Sequence, residues 1–465
     1  MKGVISVFDY KNRRNAVNSV TSGLRPGCLS FPETLAQSVA NISPTLTPVI
    51  IVPLVFASAG AGTWLAYLFA TIGLVCVGAN INEFARRSAT PGSLYAFVSR
   101  GLGPEAGFVA GWSLILAYVL SGMAVLAGTV NYAILLLAAA GLHTPPLLLY
   151  GLGAGGVWLI AYRDIRLSTR VMLVLEFVSM LLILVLGLLI MQRRHVVVDL
   201  EQFEASRMSL GGLKAGLILA IYSFVGYESA TTLGEEARDP HISIPRSVLL
   251  SALLSGAFFM LTAYVAVMGF EGLPGSLASS TAPFDDLARG YGVAWFGLLI
   301  SAGAVISLFA CTLASVNAAA RILYSMSRQG IFHRHVGRAH TTNQTPHLAV
   351  SVCALATFAL PAWLLGQGLG VMDIFNDMST IATYGFMLAY CLVSVGAPLF
   401  LRRQGELTAF SMLKAAAAVL FMIPPIVATV YPAPSPPVDR FPGYFAAYVG
   451  LGLAWYLLQR RRALP

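Results

Sequence analysis

The strongest constraint on this chain is a succession of apolar runs, each long enough to be a membrane helix. A hydrocarbon core about 30 Å thick is crossed by roughly 20 mainly apolar residues in helical conformation. Twelve such runs follow one another, near 33–57, 60–83, 104–140, 146–162, 168–191, 212–237, 246–270, 292–324, 347–366, 371–400, 411–431 and 442–459. The connections between them are too short for a second soluble domain. The expectation is therefore an all-α integral membrane protein of about 12 transmembrane helices. Composition agrees, with 57% hydrophobic and 11% charged residues, against roughly a quarter charged in soluble domains.

A net charge of +9 raises the question of an acidic partner, and its distribution answers it. With the N-terminus placed in the cytoplasm and the sides alternated, only Arg193, Arg194, Arg207, Lys214, Arg289 and Arg440 of the 29 basic residues fall on the outer side. This is the positive-inside pattern of a multi-pass protein of the cell (inner) membrane with both termini cytoplasmic, and the excess charge faces anionic inner-leaflet lipid. No nucleic-acid partner is needed. The N-terminal tail lacks the apolar core and cleavage site of a secretory signal and is expected to stay on the chain.

Two runs do not read as continuous helices. In SVANISPTLTPVIIVP, Pro44 cannot donate to the preceding turn but suits the first position of a new helix, with Ser43 as its N-cap. Asn41 and Ile42 would end the first half and leave carbonyls free for a cation. Amides at Thr45, Leu46 and Thr47 would face the break, where a helix N-terminus favours an anion. In SFVGYESATTLGEE, Gly226 weakens the sixth helix and Glu228 puts an ionisable group at membrane depth. Irregular backbone survives in a bilayer only where it is buried or lines a cavity, and an intramembrane carboxylate points to function. The structural alternative is close helix packing at Gly226 with Glu228 bonded to a neighbour. Breaks in helices one and six, five segments apart, are what a 5+5 inverted repeat predicts. The substrate would lie between them, its carboxylate near Ser43, Thr45 and Leu46 and its amine near carbonyls of Ile42 and Val225. That arrangement suits an amino acid zwitterion. The ten-helix core would cover 33–400, preceded by a tail over 1–32 and followed by two further spans and a C-terminus over 401–465.

Segment six, SFVGYESATTLGEEARDPHISIPRSV, resembles the sixth-helix signature of the amino acid-polyamine-organocation permeases. The stretches TPGSLYAFVSRGLGPEAGFVAGW, YRDIRLSTRVMLVLE and VNAAARILYSMSRQGIFHRHVGRAHTTNQTP agree with that family in order. The resemblance implies a fold of the leucine-transporter type and alternating access. It also implies that Tyr222 is an aromatic gate, that Glu228 is a gate or proton-sensing carboxylate, and that Asn41 and Thr45 contact substrate. The sequence departs from the family in having SPTL where many members carry Gly-Ser-Gly. Nor does it place a lysine in helix five, where some members use one in place of sodium; Ser179 stands near that position, with Glu176 one turn earlier.

Glu176, flanked by apolar residues, is a candidate proton carrier, the alternative being an ion pair with Arg166 or Arg170 near the inner surface. Thr312 and Ser315, three apart, would either hold sodium or pack helix eight. The histidines lie in loops or at helix ends without metal-ligand spacing, the cysteines read as apolar packers, and the glycines of GLGAGG lack the strand and lysine of a nucleotide loop. No cofactor and no metal are expected. The sequence reads as a secondary active transporter of amino acids or related amines, driven by protons or by exchange. The alternative from another class is an integral-membrane enzyme acting on lipid, with the intramembrane glutamates as acid-base groups.

Overall fold

The computed structural model describes residues 23–195, 198–431 and 435–462. Lys2, Lys11, Arg13, Arg14 and most of the tail expected over 1–32 lie outside them. Among the described residues the chain is helical, without strands; Leu29 and Ala237 form an isolated parallel bridge.

In chain order the helices are α1 (Phe31–Ile42), α2 (Val52–Ala59), α3 (Thr63–Ala85), α4 (Ser93–Leu102), α5 (Pro104–Ala139), α6 (Pro146–Arg163), α7 (Ile165–Arg194) and α8 (Leu210–Tyr222). They continue as α9 (Pro240–Phe270), α10 (Pro283–Gly290), α11 (Ala294–Arg328), α12 (His347–Gly366), α13 (Val371–Gln404), α14 (Ala409–Ala428) and α15 (Phe441–Arg462). Nine segments among the described residues are long and apolar enough to cross a bilayer, Phe31–Ala85 being counted as one although it contains α1, α2 and α3. The short α8 falls outside that set because helix six is interrupted. Sequence periodicity missed α4 and α10, which are too short to register as spans.

Helix α5 forms the middle of the bundle, with α11 and α13 packed along it. Its buried face is rich in small residues, among them Gly111, Ser113, Ala117, Ser121 and Gly122, which let neighbouring backbones approach. At Gly385 of α13 an added Cβ would lie 2.6 Å from the carbonyl oxygen of Ser113, so only glycine fits that crossing. The α15 span is mostly uncovered, with 11% of its most apolar window buried, and lies at the periphery.

One face of the bundle is closed by a strap. Leu29 donates from its amide to the Glu236 carbonyl at 2.9 Å, and Arg238 donates to the Leu29 carbonyl at 2.7 Å. Arg166 of α7 donates to the Cys28 carbonyl at 2.9 Å, and Arg25 pairs with Asp164 at 3.3 Å. Beneath the strap, Arg321 of α11 grips Glu236 through two bonds of 2.6 and 2.9 Å. Both side chains are essentially without solvent, at 1% and 0% exposure.

Candidate functional site

Helix one breaks where the sequence indicated, by a different local device. Ser43 is the C-cap of α1, in the left-handed region at φ 50°, and donates its amide to the carbonyls of Val39 and Ala40. This corrects the expectation of an N-cap. A residue before proline is disfavoured in the right-handed helical region, so Ser43 leaves the helix instead of opening the next one. The chain then re-enters through a π-turn, Thr47–Ile51. Pro48 has no N–H to give an ordinary i to i−4 bond, which leaves room for the wider turn. Leu46 donates to the Ser43 carbonyl at 2.9 Å, so its amide is occupied. The hydroxyl of Thr45 is buried and unpartnered.

Helix six ends at Tyr222, passes through turns over 223–228, and resumes as a short 3-10 turn, Ser229–Leu233. Gly226 sits at φ +88°, and a Cβ there would meet Asn41 Nδ2 at 1.8 Å. Asn41 joins the two breaks, donating through Nδ2 to the Gly226 carbonyl at 3.3 Å and accepting at Oδ1 from Ser315 at 2.8 Å. Its own carbonyl accepts from the Cys311 thiol at 3.3 Å. Ile42 and Val225 flank this junction and are buried. Tyr222 is half-buried, its hydroxyl near Ser379 and Cys311. Ser315 is thus taken up by Asn41, and Thr312 bonds the Leu308 carbonyl of its own helix.

Two buried carboxylates flank the junction. Glu228 accepts from Tyr118 of α5 and Tyr390 of α13, each at 2.5 Å. Tyr390 in turn accepts from the Gly226 amide at 3.2 Å, so a hydrogen-bond chain runs from the broken backbone through a phenol to the carboxylate. Glu176 of α7 accepts from Ser307 of α11 at 2.8 and 2.9 Å. Ser307 lies 3.2 Å from the Ser43 hydroxyl. Since a hydroxyl carries one hydrogen and that of Ser307 faces the carboxylate, Ser43 is the donor to Ser307. Glu176 is paired with neither Arg166 nor Arg170, because Arg166 binds Cys28 and Arg170 binds Glu33 at 2.8 Å. Sequence reasoning did not find Tyr118, Tyr390 or Ser307. The one available signal was a tyrosine inside each apolar LAY run, 116–118 and 388–390.

The family model for amino acid permeases matches residues 34–432. The chain belongs to the amino acid permease family. This permease is 23% identical over 372 residues to the branched-chain amino acid permease BcaP of Bacillus subtilis, an alignment covering 75% of this chain and 76% of the relative. It is 24% identical over 359 residues to mouse cationic amino acid transporter 4, covering 72% of this chain and about half (54%) of that protein's length. Its fold matches the crystal structure of MhsT in complex with L-phenylalanine with a TM-score of 0.57, at 15% identity, covering 87% of this chain and 98% of MhsT. The fold is that of leucine-transporter-type proteins, and the permease is a multi-pass membrane transporter. Membership in a transporter family displaces the lipid-enzyme reading of the buried glutamates.

Proposed function

We propose that this permease carries amino acids or related amines by alternating access, coupled to protons or to exchange, with the substrate seated between the breaks of helices one and six. The observation that carries the reading is the contact of Asn41 with Gly226, which brings two interrupted backbones to one point beside a buried carboxylate. At such a junction the amide and the hydroxyl of Thr45 offer donors to a carboxylate, while the Ser43 hydroxyl is given to Ser307. Carbonyls at Ile42 and Val225 offer acceptors to an ammonium, and Tyr222 covers the substrate.

Coupling is assigned to Glu228 and Glu176. Each is fully or almost fully buried, at 0% and 2% exposure, and each ends a hydrogen-bond chain that starts at a break. A proton gained or lost at either carboxylate changes what the tyrosines or serines donate to, and hence the geometry of the break. The same reading takes the twelve apolar runs as twelve spans, the first ten as a 5+5 inverted repeat over 33–400, and the strapped face as cytoplasmic. The basic residues gathered towards that face support the orientation.

The test is uptake into proteoliposomes of a panel of radiolabelled amino acids and amines, with an inward proton gradient, a sodium gradient, an unlabelled substrate inside, or none of these. Accumulation driven by protons or by counter-substrate is the expected result. Failure of every panel member under all four conditions, with correctly folded protein, overturns the proposal.

A further inference from the structure

The connection between α11 and α12 carries FHRHVGR, residues 332–338, a stretch for which the transport reading has no use. It folds as consecutive tight turns, Val336 donating to the His333 carbonyl at 3.0 Å and Arg338 to the His335 carbonyl at 3.2 Å. Gly337 presses on the end of α11, where an added Cβ would lie 3.0 Å from the Arg328 amide nitrogen. The turns therefore stand on the strapped face with His333, Arg334, His335 and Arg338 exposed.

Basic side chains set this close repel one another unless an anion lies among them. The His333 and His335 rings stack, with centroids 4.9 Å apart. Among the described residues no ion pair reaches Arg334 or Arg338, and the acids on the adjoining elements are engaged elsewhere. Glu235 faces Arg328 at 3.9 Å, and Glu105, at the start of α5, is bound by Arg460. The Arg338 cation, with His333 and Arg334, holds the His335 imidazole below its ordinary range, as a surplus of positive potential requires.

Phe332 sets the depth of these turns. Its ring stacks on Trp455 of α15 at 5.7 Å and on Trp112 of α5 at 5.9 Å. Tryptophan collects at the membrane–water interface. Trp455 is exposed, and α15 is a membrane span uncovered along most of its length, so lipid adjoins this aromatic cluster. The basic turns thus lie at headgroup level beside a lipid-facing helix. A phosphodiester suits them, because a guanidinium presents paired N–H donors to phosphate oxygens. A zwitterionic headgroup would bring a cation of its own into the same positive field.

We propose that residues 333–338 bind the headgroup of an anionic phospholipid from the adjoining leaflet, its phosphate on Arg334 and Arg338 and its acyl chains along α15 beside Trp455. The test is equilibrium binding of fluorescent phosphatidylglycerol to the full chain in neutral detergent micelles, without any gradient, so it does not depend on the transport reading. The expected result is saturable binding that unlabelled phosphatidylglycerol displaces and phosphatidylcholine or inorganic phosphate does not. Replacing Arg334→Gln together with Arg338→Gln should weaken it about tenfold or more, as expected for two basic residues at an anionic surface. Arg86→Gln with Arg402→Gln removes the same charge from exposed positions at the ends of α3 and α13 and should leave the affinity unchanged.

Unchanged affinity in the Arg334→Gln, Arg338→Gln protein overturns the proposal. Equal weakening by the two pairs also overturns it, since the attraction would then belong to the basic face as a whole. Displacement by phosphatidylcholine as readily as by phosphatidylglycerol does the same, and displacement by matched inorganic phosphate would make this a site for soluble anions instead. The displacement experiments use the wild-type chain and decide the matter even if a variant does not fold.

Discussion

Replacing Glu236 with glutamine removes the counter-charge of Arg321 from a place that water does not reach. Both side chains are at most 1% exposed and joined by two short bonds, so no discount for solvent screening applies. Breaking such a pair by removing one partner costs about 3–5 kcal/mol, because the remaining charge is buried and uncompensated. Asn317 still accepts from the guanidinium through its carbonyl at 3.1 Å, which satisfies a donor without neutralising the charge. In a conformer open on the strapped face, water hydrates Arg321 and the penalty vanishes. The variant therefore favours that conformer by up to the same amount, a shift of roughly a hundred- to several-thousand-fold in population at about 1.4 kcal/mol per factor of ten. Native Cys311, 1% exposed and bonded to the Asn41 carbonyl, reports the opening. Its labelling by a membrane-impermeant maleimide added on the strapped side, followed by mass spectrometry, should accelerate in proportion until most molecules are open. Replacing both partners, Glu236→Met with Arg321→Met, removes the stranded charge and should return labelling close to the wild-type rate. Labelling of the single variant at the wild-type rate, or faster labelling of the double than of the single variant, would refute the reasoning.

Three further outcomes are expected. In Glu228→Gln the amide nitrogen cannot accept from a phenol, so Tyr118 or Tyr390 loses its acceptor; proton-driven uptake should fall about tenfold or more, the loss of roughly one charged hydrogen bond, and undiminished pH-driven accumulation would remove Glu228 from the mechanism. Tyr390→Phe deletes a donor to Glu228 and strands the Gly226 amide, together worth about 3 kcal/mol or more, read as a lowered thermal transition of the purified protein alongside weakened substrate binding. Gly226→Ala puts a methyl 1.8 Å from Asn41 Nδ2 on a backbone at φ +88°; uptake should be lost, and normal uptake would mean that the two breaks need not touch.

Much of this protein was legible in its sequence because the bilayer is a simple solvent. A run of about twenty apolar residues must be a helix there, and the helices of α3, α5, α6, α12 and α15 end within a few residues of where the apolar runs end. Both breaks were also visible, since Pro44 and Gly226 with Glu228 are out of place in apolar helices. Less legible was how each break is built. Ser43 looked like the start of a helix and is the end of one, because its neighbour Pro44 governs its backbone while its hydroxyl is drawn to Ser307, far away in the chain.

The partners of the buried carboxylates belong to the same class of unseen facts. Glu228 and Glu176 announce themselves as charges in apolar runs, whereas Tyr118, Tyr390 and Ser307 are ordinary residues in ordinary helices until packing brings them within hydrogen-bond reach. By itself the sequence determined that the chain must span a membrane and where two of its helices must fail, since those follow from the local cost of exposing polar backbone to lipid. Only the tertiary structure decided what satisfies the groups thereby freed, because a hydrogen bond is set by distance in space and the donors come from helices more than a hundred residues away.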